Sequence, residues 1–255
     1  MGVIMSQTNT IVVADAHLDG AQAETEAFLA MLAAFQAARF HRLVLLGDIF
    51  TFWIGTKKMQ FPHHLPVLAA LARLREQGVL LIYAEGNRDY FLRSLYLNAP
   101  FHEIVSEGTQ ADIGGRRWHF AHGDLINPHD WQYWRWRSFS RNRLFFALFS
   151  ALPRFAAVRL AEAIERRFRM TNARHKSAFP AATCQEYAER LWRQGVDAIA
   201  LGHFHDAYHF DAARDGRQKD LYVVPAWKDA HEYLRIDADG SAALCESNFK
   251  SLKDF

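Results

Sequence analysis

Three short apolar runs, Thr10–Ala14 (TIVVA), Arg42–Leu46 (RLVLL) and Leu80–Ala84 (LLIYA), are separated by two stretches with apolar residues at helical spacing. Runs of that length and composition read as buried strands. Ala21–Phe40, rich in Ala, Glu and Leu, and Leu65–Gln77, which ends at Gly78, supply the helices between them. A strand, a helix and a second strand in one sheet connect as a right-handed crossover. The β-α-β-α-β order therefore predicts an α/β fold with a mainly parallel sheet. The chain has 255 residues, 50% of them hydrophobic, enough for one large domain or one domain carrying an insertion.

The pattern changes after Ala84. Thr109–Ile113 and Arg116–Ala121 alternate across Gly114-Gly115, a hairpin signal. Trp131–Ala178 reads as helices throughout, and Ala181–Gln194 as one more helix stopped by Gly195. Ala198–Leu201, Leu221–Val224, Glu232–Asp237 and Ala242–Glu246 read as strands. Charge is uneven along the chain. Trp131–Pro180 holds ten Arg and one Lys against Glu162 and Glu165, a net +9, so a chain total of +2 leaves −7 elsewhere. The same segment mixes Trp and Phe with Arg. It fits either amphipathic helices packed on the core or a basic, apolar surface for anionic lipid. Cys184 and Cys245 lie far apart, which argues against a disulfide framework or zinc ribbon and suits a reducing cytoplasm. No run is long enough to span a bilayer, and strand-like TIVVA begins too early for a signal peptide.

Five short pieces follow apolar strands: ADAHL (Asp15, His17), LLGDIF (Asp48), EGNRD (Asn87, Arg88), AHGD (His122) and LGHFH (His203, His205). Ligand sites in open α/β sheets lie outside the carboxyl ends of strands. Each piece alone has an ordinary explanation, such as a turn aspartate, a left-handed asparagine or a surface histidine. Together they place four histidines, two aspartates and an asparagine at strand ends, which points to a metal site. Asp15 and His17 are two residues apart, as are His203 and His205; in an extended segment each pair presents both side chains to one ion. Imidazole and carboxylate ligands suit Mn²⁺, Fe²⁺ or Zn²⁺.

The order D-x-H, GD, GN, H, GHxH resembles the calcineurin-like metallophosphoesterases and spans Asp15 to His205. The resemblance implies a β-sandwich flanked by helices (αββα) with two metal ions at one end. It puts Asp15, His17, Asp48 and His205 on one ion and Asp48, Asn87, His122 and His203 on the other. Two such ions, roughly 3.5–4 Å apart, activate a hydroxide and clamp phosphoryl oxygens. Many members have GNHD, whose histidine protonates the leaving alkoxide; here the residue is Arg88. A guanidinium stays protonated and cannot act as general acid, but it stabilises phosphoryl charge. A phosphate monoester, with a second pKa of about 6, leaves without being protonated. Arg88 therefore favours cleavage of a pyrophosphate; read otherwise, it is a surface residue and another group donates the proton.

GNRD followed by aromatics, GDIFTFWIG, and a basic helical insertion after HGD resemble the bacterial UDP-2,3-diacylglucosamine diphosphatases of lipid A synthesis. That resemblance implies hydrolysis of UDP-2,3-diacylglucosamine to UMP and 2,3-diacylglucosamine 1-phosphate, with Mn²⁺ as the usual metal. It implies a core of residues 1–130 and 181–255 and a cap of residues 131–180 that receives acyl chains. Asp48, Asn87, Arg88 and His203 become catalytic; Asn87, Arg88, Asp130, Tyr133, Asn172, Lys176 and His203 contact substrate; and Trp227 matches the last motif. A cytoplasmic location, peripheral on the inner membrane through the basic cap, is implied too; no nucleic-acid partner is expected, because the positive charge is confined to an apolar helical insertion and the rest of the chain is net negative. The chain departs from the pattern at GHFHD, RMTNARHKS and PAW, which leaves the metal motifs intact and puts substrate choice in question. Competing readings are a pyrophosphatase for another nucleotide-sugar or nucleotide-lipid, a phosphodiesterase or nuclease of the same fold, and a scaffold without catalysis. The last should lack some ligands, and this chain has all seven.

Overall fold

The computed structural model describes residues 9–37, 40–175 and 179–247, with side chains for 9–36, 40–166 and 179–247. The chain opens with β1 (Thr10–Val13), α1 (Gln22–Ala37), β2 (Arg42–Leu45), β3 (Trp53–Ile54), α2 (His64–Glu76), β4 (Leu80–Ala84) and β5 (Asp89–Tyr90). It continues through α3 (Arg93–Tyr96), β6 (Glu103–Val105), β7 (Thr109–Ile113) and β8 (Arg116–Ala121). Three consecutive helices follow, α4 (Trp131–Ser140), α5 (Arg143–Ala151) and α6 (Arg154–His175), and then α7 (Ala181–Arg193). The last part holds β9 (Ala198–Leu201), β10 (Tyr208–Arg214), β11 (Arg217–Val223), α8 (Trp227–Ala230), β12 (Glu232–Ile236) and β13 (Ala242–Glu246).

Two sheets result. The first runs β13-β12-β1-β2-β4-β6 and the second β10-β11-β9-β8-β7. β1, β2, β4 and β6 are mutually parallel, as the crossover reading predicts, with β12 and β13 antiparallel at one edge. The period of two along each strand then decides the layers. Val12, Val44 and Ile82 face Trp118, Phe120, Ala198 and Tyr222 of the second sheet. Ile11, Val13, Leu43, Leu45, Leu81 and Tyr83 face the other way, onto Phe28, Met31 and Leu32 of α1 and Val67 and Leu71 of α2. On the far side, Ala188, Leu191 and Trp192 of α7 cover Ile199, Leu201, Leu221 and Val223. The architecture is αββα.

The structure extends one expected strand, adds strands the sequence does not announce, and fixes where the expected helices break. Strand Leu221–Val224 is the end of a longer β11, paired with β10 across Asp215-Gly216. That hairpin is polar and half-exposed (YHFDAAR, RQKDLYV), so no apolar run announces it. β6 is a three-residue edge strand, too short to carry a pattern. The helical stretch from Trp131 is broken twice. Asn142 accepts from the backbone N–H groups of Leu144 (2.8 Å) and Phe145 (3.3 Å) and starts α5. Pro153 precedes α6. Lys58 Nζ donates to the carbonyls of Phe149, Ser150 and Leu152 at 2.6–3.0 Å, which satisfies the carbonyl end of α5.

Trp118 is fully buried between the sheets and stacks against Phe120 and Tyr222. Trp118→Ala should lower the free energy of unfolding by about 3–5 kcal/mol, read by chemical denaturation. A loss below about 1 kcal/mol would contradict the sheet-on-sheet packing.

Candidate metal centre

The carboxyl ends of β1, β2, β4, β8 and β9 lie at one end of the sandwich, and the turns after them carry the seven motif residues. All seven join one connected cluster. Nε2 of His17 and Nε2 of His205 are 3.2 Å apart, and Asp15 Oδ1 lies 3.7 and 3.8 Å from them. Asp48 Oδ2 lies 3.9 Å from His122 Nε2. Asn87 Oδ1 is 3.1 Å from His122 Nε2 and 3.0 Å from His203 Nδ1, and those two nitrogens are 3.2 Å apart. Asp15, Asp48 and His122 offer mutually close ligand atoms, and so do Asp15, His17 and His205.

Extended backbone is not what makes the paired residues converge. Asp15 (φ 53°), His17 (φ 45°), Asp48 (φ 52°), His203 (φ 73°) and His205 (φ 67°) all occupy the left-handed region. Such residues cost on the order of 1–3 kcal/mol each and persist only where surrounding structure over-determines them. Here the bracing is visible. Asp89 Oδ2, buried, accepts from Asp48 N (2.9 Å), Gly86 N (2.8 Å) and Tyr83 Oη (2.8 Å), so one carboxylate ties two ligand turns to β4. Asp15 Oδ2 accepts from His203 N at 2.7 Å and ties the first turn to the last. Close approach requires two glycines. A Cβ on Gly86 would lie 2.2 Å from Asp48 Oδ1, and one on Gly202 2.7 Å from Asp15 Oδ2. Asp89 sits inside the quoted EGNRD, yet only its burial distinguishes it from an ordinary turn aspartate.

The donors are in ligand form. His122 Nδ1–H donates to the carbonyl of Leu46 at 2.6 Å, an assignment that leaves the Nε2 lone pair facing the cluster. Burial, reinforced by Arg88, lowers His17 to about 2; burial, reinforced by His122, lowers His203 to about 4. Burial also lowers His122. All three are neutral at pH 7. Burial and the neighbouring Asp48 raise Asp15, and burial raises Asp48 to about 7 against the pull of Arg88. Asp15 Oδ1 is buried with no hydrogen-bond donor among the described residues. Neutral imidazole nitrogens facing one another beside a carboxylate oxygen without a donor are groups that a divalent cation satisfies and a proton does not.

The remaining candidates lie nearby with mixed placement. Arg88 is in the site: its N–H donates to Asp48 Oδ1 (2.9 Å) and its Nε lies 3.4 Å from Asp48 Oδ2. Its guanidinium also pairs with Glu165 on α6. Asp130 is exposed and caps α4, accepting from Tyr133 N at 2.9 Å. Tyr133 Oη donates to Asp124, whose carboxylate also pairs with Arg137 Nη1 at 3.0 Å. Trp227 is buried; its backbone N–H donates to Ala14 O (3.0 Å) and its ring meets Phe28 edge-on, so it supports the turn after β1. The Asn172 side chain and Lys176 lie outside the described residues. Beside Asn87 and Arg88 opens a cavity walled by Phe52, Ile54, Tyr90, Phe91, Phe146 and Phe149. Its aromatic wall is drawn from segments far apart in sequence.

The metal-free protein should lose stability as pH rises above about 7.5, a unit beyond the ordinary imidazole value. Above that value the imidazoles are neutral in folded and unfolded chains alike. Asp15, raised well above the usual carboxylate value, then keeps a proton that the unfolded chain has already released, and Asp48, raised to about 7, keeps part of one. Denaturation of stripped protein at pH 7.5 and pH 9 should show this fall, and added divalent metal should abolish it. Equal stability at the two values would count against two buried, uncompensated carboxylates.

No protein-family model matches the chain. A UDP-2,3-diacylglucosamine hydrolase from Edwardsiella ictaluri is 30% identical over 233 residues, 91% of this chain and 89% of its own. Proteins of the same name from Xanthomonas axonopodis pv. citri and Xanthomonas campestris pv. campestris are 30% and 31% identical over 241 residues, covering 91% of this chain and 97% of theirs. Among solved structures, a dimetal phosphatase from Danio rerio aligns at a TM-score of 0.49 with 12% identity, covering 93% of this chain and 98% of its own. By its identity to the curated relatives over nearly its whole length, the chain belongs to the UDP-2,3-diacylglucosamine hydrolase family.

Proposed function

We propose that this protein hydrolyses the pyrophosphate bond of UDP-2,3-diacylglucosamine, giving UMP and 2,3-diacylglucosamine 1-phosphate. The observation that carries the reading is a shared wall. Asn87 and Arg88 belong to the polar cluster and also line the apolar cavity, so a phosphoryl group and an acyl chain can be held at one junction. In this reading Asp15, His17, Asp48 and His205 hold one cation and Asp48, Asn87, His122 and His203 a second, with Mn²⁺ the metal of choice. Bound divalent cations supply charge neutralisation at the phosphoryl oxygens and a water acidified for attack.

The protein's own groups do the rest. Arg88, always protonated, stabilises the phosphoryl oxygens and gives up no proton. None is needed, because a phosphate monoester leaves as an anion. Leu46 O and Asp89 hold the His122 ring and the Asp48 turn, so little reorganisation accompanies reaction. Asp130, Tyr133, Asn172 and Lys176 contact the sugar-nucleotide, and residues 131–180 act as a cap over the 1–130 and 181–255 core.

Among the described residues no helix is long and apolar enough to cross a membrane. Leu144, Leu148 and Phe155 are 62–70% exposed, in a segment whose Arg143, Arg154 and Arg159 are exposed too. This supports a cytoplasmic protein that rests this face on anionic lipid, its apolar side chains in the interface and its arginines at the headgroups.

Metal-stripped protein should release UMP from UDP-2,3-diacylglucosamine only after Mn²⁺ is restored, with UDP-glucose and a bis-aryl phosphodiester turned over far more slowly. Asp48→Ala should lose that activity while folding normally. Faster turnover of the diester would make this a phosphodiesterase. Separately, Leu144→Glu with Leu148→Glu should cut partitioning onto phosphatidylglycerol vesicles by more than about 10-fold. Unchanged partitioning would remove the membrane assignment.

A further inference from the structure

Glu165 is one of two acidic residues in a segment with ten Arg and one Lys, and it is turned inward, 8% exposed. Its carboxylate accepts from Nη1 of Arg88. The root of Arg88 is held by Asp48, through the backbone N–H and through Nε. Thr51 O lies 3.5 Å from Nη1. Asp48 and Glu165 therefore grip the guanidinium from the core and from α6. A guanidinium is planar, so fixing Nε and Nη1 fixes the direction of Nη2. Among the described residues Nη2 donates to none, and it is the arm left for a phosphoryl oxygen.

Two more opposite-charge contacts join the same segment to the ligand turns. Arg141, after α4, pairs with Glu85 Oε2 at 2.5 Å and donates through Nη2 to Gly86 O at 2.7 Å, directly before Asn87. Glu85 Oε1 accepts from Leu92 N at 2.8 Å, so that carboxylate closes the loop that Arg141 backs. Arg137 pairs with Asp124, two residues past His122. Among the described residues, Arg137, Arg141 and Glu165 thus end on or beside the turns bearing Asn87, Arg88 and His122.

We infer that Glu165 is a positioning residue for Arg88: it holds one arm of the guanidinium so that the other meets the phosphoryl group, and it makes α6 part of the hydrolytic site. The inference rests on the phosphoryl-transfer reading above, and not on which acyl chains fill the cavity. A free arginine side chain has about 2 kcal/mol of rotamer entropy to lose. Anchoring it before substrate arrives removes much of that loss from the reaction.

The test is a double-mutant cycle on the metal-loaded full chain. Glu165→Ala should lower kcat by about 10- to 100-fold with KM little changed, the worth of one hydrogen bond to a charged group. In an Arg88→Ala background the same change should alter kcat by less than about 2-fold. Glu165→Gln, isosteric and still an acceptor, should recover part of the loss, and it carries the cycle if the Ala variant proves unstable to heat. Additive losses would overturn the inference, because Glu165 would then act independently of Arg88. Affinity for inorganic phosphate, measured calorimetrically on the same four proteins, gives a reading independent of the acylated substrate. If wild type fails to cleave UDP-2,3-diacylglucosamine but phosphate affinity is non-additive, the substrate assignment falls and the role of Glu165 stands. If phosphate affinity is additive as well, the role of Glu165 falls.

Discussion

Asp15 and Asp48 are carboxylates buried side by side at the ends of β1 and β2, and much of the neighbouring structure answers to that juxtaposition. Water would normally solvate such charges. Here the protein supplies backbone N–H groups instead, from His203 to Asp15 and from Arg88 to Asp48. Those donors satisfy one oxygen of each; the others face imidazole nitrogens, and Asp48 Oδ2 also has Arg88 Nε at 3.4 Å. Without a cation the carboxyls hold their protons and the imidazoles stay neutral, because burial penalises every charged form. A divalent cation draws the protons off the carboxyls and takes up the lone pairs of imidazoles that are already neutral.

Such a cluster needs a rigid support. Five of the seven donors have left-handed backbone, which no helix or strand supplies. The turns hold that shape because the strands beneath them are packed on both faces and because Asp89 and Asp15 stitch neighbouring turns together. The sandwich is thus the frame against which strained ligand turns are fixed.

Among the described residues of the 131–180 segment, charge divides by direction. Arg137, Arg141 and Glu165 point at the core and meet partners of opposite sign. Arg143, Arg154 and Arg159 are exposed, among exposed apolar side chains. A net charge read from sequence merges these two populations, although they do different physical work. Buried pairs set geometry, and exposed ones set the potential that a headgroup or substrate meets.

Sequence alone determined the strand-end motifs, since each donor directly follows an apolar run and needs only the local rule that strands end in turns. It also determined that these strands form a mainly parallel sheet, through helical spacing between buried runs. The polar β10–β11 hairpin escaped it, because half-exposed strands lack an apolar signature. Asp89, Glu85, Asp124 and Glu165 escaped it for another reason. Each is an ordinary acidic residue until its partner is known, and those partners include Asp48 N 41 residues from Asp89, Arg141 56 residues from Glu85, and Arg88 77 residues from Glu165. Local rules of spacing and propensity reach only a few residues along the chain. Only the tertiary structure, by burying these groups next to specific distant partners, decided which acids brace the site and which merely face water.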